Sequence, residues 1–79
     1  MKATVENVKE VIEQAEVLGD VSELKNDIKL SEQGIDSLDI VNVYLLLEEK
    51  FGIKIPDEDL DKVTTIDEIV EYVNSKLEG

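Results

Sequence analysis

The sequence contains no cysteine and no histidine, and its only aromatic residues are two tyrosines and one phenylalanine. Without cysteine the chain has neither a disulfide framework nor a thiolate nucleophile. Without histidine it lacks the commonest general base and the commonest nitrogen ligand for metals. We therefore expect no catalytic residues and no dedicated metal site.

Basic residues are also few, since 8 lysines and arginines face 20 aspartates and glutamates, giving a formal net charge of −12. Nucleic acid and anionic lipid repel such a chain, which should instead favour partners with basic patches. No apolar run approaches the roughly 20 residues of a membrane span, and no secretory signal is visible. We expect no nucleic-acid binding, no membrane insertion and a cytoplasmic location.

The length of 79 residues predicts a single domain spanning 1–79, and we expect a monomer. A domain of this size buries only roughly 60% of the surface of its unfolded chain, which leaves little for a deep enzyme cleft. Apolar residues at helical spacing predict a first helix from about Thr4 to Leu18, and Gly19 is typical of a helix end. A long connection over 20–35 follows, and its apolar residues should hold it to the core. These are Val21, Leu24, Ile28 and Leu30.

Three more helices are predicted beyond the long connection. The second begins at Asp36 or Ser37 and runs to about Lys50, a short acidic turn covers 57–61, and the last begins at a capping box formed by Thr65 and Glu68. Short strands would have nowhere to pair. The sequence therefore predicts an all-α fold, a small four-helix bundle of three main helices and one short helix, with a long loop between helices 1 and 2.

The second helix carries more apolar side chains than a core face needs. At about 100° per residue, five of them fall within one sector under about 120° wide and suffice for the core: Ile40, Val43, Tyr44, Leu47 and Phe51. Leu38, Val41 and Leu45 are left over and form what we call the apolar patch. Either the long loop covers this patch or the patch binds a partner. Its border, which we call the acidic rim, consists of Asp36, Asp39, Glu48 and Glu49, and positions 36–49 contain no lysine or arginine.

Ser37 lies where the second helix begins. A serine in this place is ordinarily an N-cap. Asp36 is an equally good cap, and if it takes that role, Ser37 lies in the first turn, where backbone amides and the helix dipole stabilise a phosphate. No histidine can activate the hydroxyl for catalysis. The chemistry therefore favours Asp36 as the cap and Ser37 as the acceptor of a modification.

The stretch "GIDSLDIV", followed by "LLLEEKFGIKIPDEDLDKVTTIDEIVEYV", resembles the acyl carrier proteins over most of the chain. The resemblance implies that Ser37 carries 4′-phosphopantetheine, transferred from coenzyme A by a phosphopantetheinyl transferase. Such a chain is a non-catalytic carrier of acyl thioesters in fatty acid biosynthesis or a related pathway such as polyketide formation. Seven residues match positions that meet the transferase and the synthase enzymes: Asp36, Leu38, Asp39, Val41, Leu45, Glu48 and Glu49.

Two residues depart from the family pattern. Asn42 stands where many members have glutamate, and Gln33 stands where the common fatty-acid type has a leucine that helps to anchor the loop. These departures leave open whether the carrier is the housekeeping fatty-acid type or a specialised one.

Two other functions fit parts of the sequence. A small acidic helical adaptor without a prosthetic group would share the charge and the amphipathic helices. A calcium loop beginning at Asp57 would need glycine at its sixth position, where Lys62 stands, so a dedicated EF-hand site is not expected.

Overall fold

The computed structural model describes residues 2–15 and 23–78, and within them it contains α-helices and 3₁₀ helices but no strand. The three α-helices are α1 (Val5–Gln14), α2 (Ser37–Phe51) and α3 (Ile66–Glu78), and α1 packs against both of the others. Two short 3₁₀ helices cover Leu30–Gln33 and Asp57–Lys62. The predicted all-α fold is confirmed, and the predicted short acidic helix is the second 3₁₀ helix. No helix of the described residues has the length and apolarity needed to cross a membrane.

The ends of the α-helices follow local hydrogen bonding. The Thr4 hydroxyl caps α1 by accepting from the Asn7 amide at 3.2 Å, and the Asn7 side chain accepts from the Thr4 amide in return. The helix ends at Gln14, which is earlier than the predicted end, whereas Leu18 and Gly19 lie outside the described residues. Gly52 ends α2 at a φ of 65°, in the left-handed region that favours glycine.

The core is apolar throughout, because no polar or charged residue of the described chain is buried. Four of the five predicted core residues of α2 are buried, and Ile40 is half-buried. Within the long connection, Leu24 and Leu30 are buried as predicted, but Ile28 is exposed and Val21 lies outside the described residues. The fully buried side chains of the three α-helices meet in one cluster, which includes Val8, Val11, Ile12, Val43, Leu47, Ile66, Ile69 and Val73.

Two tyrosine hydroxyls hold the second 3₁₀ helix, which buries none of its own residues. Tyr44 of α2 donates to the carbonyl oxygen of Val63 at 2.8 Å, within the core. Tyr72 of α3 donates to the Asp59 carboxylate at 2.6 Å, and Lys62 pairs with the same carboxylate at 3.3 Å. Partial burial and the Asp59 carboxylate raise the pKa of Tyr72 to about 12. The segment is therefore attached to both neighbouring helices by polar bonds, in addition to the packing of Leu60 against the core.

The Tyr44→Phe variant should unfold more easily than the wild type by about 1–3 kcal/mol, because the carbonyl of fully buried Val63 loses its hydrogen-bond donor. Tyr72→Phe also loses one hydroxyl, but its acceptor is the charged Asp59 carboxylate, whose side chain is only 15% exposed and stays paired with Lys62. Its expected cost is about 1.5–3 kcal/mol. Urea denaturation measures both costs, and a Tyr44→Phe cost below about 0.5 kcal/mol would contradict the role assigned to the Tyr44 bond.

The predicted capping box of α3 is confirmed. The Thr65 hydroxyl accepts from the Glu68 amide at 3.1 Å, and the Glu68 carboxylate accepts from the Thr65 amide at 3.2 Å. The same carboxylate also accepts from the hydroxyl and the amide of Thr64. These bonds, the Thr64 hydroxyl first, lower the pKa of Glu68 from its ordinary value of 4.5.

Glu68 should therefore make folding depend on pH. A carboxyl with a lowered pKa in the folded state adds stability that is complete above the unfolded pKa and is lost as the pH falls through the folded pKa. We expect the free energy of unfolding to decrease below about pH 4.5, and to decrease less in Glu68→Gln than in the wild type. Glu71→Gln, an exposed position of the same helix, controls for the change in net charge. Urea titrations at several pH values that gave the two variants the same pH dependence would refute this role.

Candidate functional site

Ser37 is the first residue of α2, and its side chain is exposed. The corner that precedes it is well defined. Gly34 adopts a φ of 89° after the first 3₁₀ helix and donates its amide to the Leu30 carbonyl. Ile35 is buried and anchors the chain immediately before Asp36 and Ser37. A buried residue on one side and a regular helix on the other thus hold the hydroxyl at the surface.

Asp36 occupies the N-cap position of α2 but does not cap it with its side chain. Its backbone is extended, with φ −65° and ψ 150°, and its carboxylate accepts no amide of the first turn. The carboxylate lies instead beside the Ser37 hydroxyl, which donates to it at 3.5 Å. The predicted position of the cap is therefore confirmed, whereas the predicted capping bond is wrong, because the Asp36 carboxylate is turned toward its neighbour and away from the helix amides.

The amides of the first turn remain available as a result. The first intrahelical bond runs from the Ile40 amide to the Asp36 carbonyl at 3.0 Å, so the amides of Ser37, Leu38 and Asp39 precede the helical ladder. No side chain of the described residues caps them. Unpaired amides at the positive end of a 15-residue helix suit a phosphate ester on a residue of the same turn. The residues around Ser37 therefore fit a phosphate-linked group.

The apolar patch is exposed beside Ser37 on the same helix. Leu38 is 73% exposed, Val41 45% and Leu45 55%. The prediction that these three side chains lie outside the core is confirmed, and the described part of the long connection does not bury them. An exposed apolar group of this kind on a small acidic protein is typical of a surface that binds another protein.

The side chains of the acidic rim differ in their exposure to solvent. Asp36 and Glu49 are exposed, whereas Asp39 and Glu48 are half-buried. The Glu48 carboxylate accepts from the Ile55 amide at 2.7 Å and so fixes the extended link after α2. Nothing in the sequence pattern indicated this bond, because it joins a helix side chain to the backbone of a segment with no regular structure. Glu48 therefore has a structural role in addition to any role toward a partner.

Gln33 anchors the long connection with its side-chain amide. Its carbonyl oxygen accepts from the Lys25 amide at 2.7 Å, and its amide nitrogen donates to the carbonyls of Lys25 and Ile28 at 3.0 and 2.9 Å. The departure from leucine at this position thus replaces an apolar anchor with hydrogen bonds.

The described residues contain no group of three acidic side chains that could hold a metal ion. Residues 57–61, where a calcium loop was considered and not expected, lie in the second 3₁₀ helix. Asp59, the carboxylate of this turn that is tied to Tyr72 and Lys62, has its pKa lowered by those two contacts, the Tyr72 hydrogen bond first.

A family model described as the phosphopantetheine attachment site matches residues 7–73, which include α2 and the whole of the site. The domain that this model describes is that of the acyl carrier proteins, and it is the attachment site for covalently bound 4′-phosphopantetheine. Carrier domains of this kind are modified by phosphopantetheinyl transferases and interact with synthases. The chain thus belongs to the phosphopantetheine-binding family of carrier proteins.

Proposed function

We propose that this chain is an acyl carrier protein whose Ser37 holds the 4′-phosphopantetheine arm. The observation that carries the proposal is the exposed Ser37 hydroxyl in the first turn of α2, inside the segment that matches the attachment-site family. The arm, when attached, supplies the thiol that forms acyl thioesters, which the cysteine-free chain itself lacks.

Ser37 supplies the oxygen of the phosphodiester. Its Oγ forms the new bond to the phosphorus that bears pantetheine, the pyrophosphate bond of coenzyme A breaks, and adenosine 3′,5′-diphosphate leaves. No histidine of this chain can accept the hydroxyl proton, so the proton passes either to the Asp36 carboxylate, to which the hydroxyl donates, or to a base of the transferase. The open amides of Ser37, Leu38 and Asp39 then stabilise the negative phosphodiester at the helix end. The chain is accordingly a substrate of enzymes and not itself a catalyst.

The apolar patch and the acidic rim form the surface by which the transferase and the synthase enzymes approach the arm. Leu38, Val41 and Leu45 provide the apolar contact, and a partner with basic residues around an apolar notch complements their border. The charge governs the rate and orientation of the encounter more than its affinity. Formation of these complexes should therefore slow as salt is added.

The cargo belongs to fatty acid biosynthesis or to a related pathway such as polyketide formation, in the cytoplasm. Asn42 supports a specialised pathway, because its exposed neutral amide lies on the partner-facing helix where many family members have a further carboxylate. An enzyme that binds this chain would need one basic contact fewer than an enzyme that binds a carrier with glutamate at this position.

Intact-mass spectrometry tests the proposal directly. The unmodified chain is incubated with coenzyme A and a transferase of broad specificity, and a mass increase of one phosphopantetheinyl group is expected. A chain that stays unmodified, although a known carrier domain in the same tube is converted, would overturn the proposal. An adaptor without a prosthetic group would give that second result.

A further inference from the structure

The face of α2 that begins at Ser37 leads into the core. At about 100° per residue, Ile40 and Tyr44 lie within about 60° of the direction of Ser37, about one and two turns further along the helix. Ser37 is exposed, Ile40 is half-buried and Tyr44 is only 7% exposed. An apolar group carried by Ser37 would reach the core most directly along this face, and the hydrophobic effect would favour its burial there.

Tyr44 occupies the inner end of this face. It has the bulkiest side chain of α2, and its hydroxyl donates to the carbonyl oxygen of fully buried Val63 at 2.8 Å. Burial, and after it the charge of Glu68, raises the pKa of the Tyr44 hydroxyl above its ordinary value of 10.0. The ring therefore fills the space between α2 and the segment 63–65, and the hydrogen bond holds it there.

A second hydrogen bond closes the same space from the other side. The Leu30 amide donates to the Thr64 carbonyl at 2.9 Å, and Leu30 itself is buried. Leu30 begins the first 3₁₀ helix, which leads through Gly34 to Ser37. The segment 63–65 is thus tied both to α2 and to the chain that precedes Ser37. A group that entered between α2 and this segment would have to break the Tyr44 bond inside the core, which is costly where water cannot replace it.

Three open depressions on the described surface do not offer an alternative shelter. Each is lined largely by charged or polar side chains, and none includes Ile40 or Tyr44. Leu46, which borders one of them, lies on the opposite side of α2 from Ser37 at about 100° per residue. An apolar chain would therefore gain little burial in these depressions.

We propose that Tyr44 is a specificity-determining residue for the cargo, which fills the space beneath the Ser37 face of α2 and so keeps the acyl group of this carrier outside the core. This inference rests on the proposed function. A long apolar chain that stays in water is unfavourable, whereas a short or polar acyl group needs no apolar shelter. The class of cargo that fits this chain is therefore the short or polar acyl groups.

The test compares melting temperatures of the chain loaded with acetyl- or octanoyl-phosphopantetheine from the corresponding acyl coenzyme A, with intact mass confirming each product. The two wild-type forms should melt within about 2 °C of each other, because the longer chain gains no burial. In Tyr44→Val, which removes the ring and its hydroxyl, the octanoyl form should melt about 4–8 °C above the acetyl form. Tyr72→Val is the matched control, since it loses the same groups from a half-buried position on α3, and it should behave like the wild type.

A wild-type octanoyl form that melts more than about 2 °C above the acetyl form would overturn the inference, and so would a Tyr44→Val difference no larger than that of the wild type. If Tyr44→Val does not fold, nuclear magnetic resonance of the wild type decides the question. The amide signals of Leu47 and Val63 should coincide in the two loaded forms, and a shift at these buried residues would refute the inference. A wild type that accepts neither group would instead refute the proposed function, so the two failures are distinguishable.

Discussion

The Ser37→Ala variant should accept no phosphopantetheine, whereas the wild type is fully converted under the same conditions. The side chain of Ser37 makes one described hydrogen bond, at 3.5 Å to the Asp36 carboxylate, and it is exposed. Alanine is also the best helix former, so the free energy of unfolding should change by less than about 0.5 kcal/mol. The loss of conversion would then result from the missing acceptor hydroxyl and not from unfolding of the chain. Intact mass after incubation with coenzyme A and the transferase measures it.

Ser31→Ala is the matched control for this experiment, because it removes another exposed serine hydroxyl six residues earlier. It should be converted as completely as the wild type. A Ser37→Ala chain that still gains the phosphopantetheinyl group would show that the arm is attached elsewhere. Equal loss of conversion in both variants would indicate damage to the surface instead of loss of an acceptor.

The Leu45→Ala variant should lower kcat/KM for phosphopantetheine transfer about five- to tenfold, with an unchanged melting temperature. Leu45 is 55% exposed in the free chain, so truncating it costs little in folding. Its burial against a partner contributes on the order of 1 kcal/mol, which corresponds to that factor. Leu38→Ala should act in the same way, because Leu38 has the most exposed large apolar side chain of the described residues.

Charge reversal separates the acidic rim from the general effect of net charge. Glu49→Lys and Glu71→Lys change the net charge equally, and both positions are exposed, but only Glu49 borders the apolar patch. The association rate with the transferase should fall more for Glu49→Lys, and the difference should shrink as salt is added. Equal association rates for the two variants, together with an unchanged kcat/KM for Leu45→Ala, would show that the apolar patch and the acidic rim are not the docking surface.

Helical periodicity predicted the parts of the fold that packing controls. The spacing of apolar residues on α2 separated the buried Val43 and Leu47 from the exposed Leu38 and Leu45, because each position on a regular helix faces a fixed direction. The capping box of Thr65 and Glu68 could also be predicted from the sequence, since both partners lie within one turn.

Hydrogen bonds between distant parts of the chain could not be predicted from the sequence. Tyr44 reaches the carbonyl of Val63, and Gln33 reaches the backbone of Lys25, across 19 and 8 residues. No periodic pattern marks such a pair, because the acceptor is a backbone group that every residue possesses. The capping bond of Asp36 was predicted wrongly for a related reason. Residue type favours the position, but the direction of the carboxylate depends on its immediate neighbours.

Site-mapping mass spectrometry on the chain purified from its natural host tests the central claim most directly. The chain contains four serines, Ser22, Ser31, Ser37 and Ser75, so fragmentation of the digested protein can assign the modification to one of them. The account predicts a single phosphopantetheinyl group on Ser37, and the mass beyond that group would identify the acyl cargo. An unmodified Ser37, or a phosphopantetheinyl group on any other residue, would contradict it.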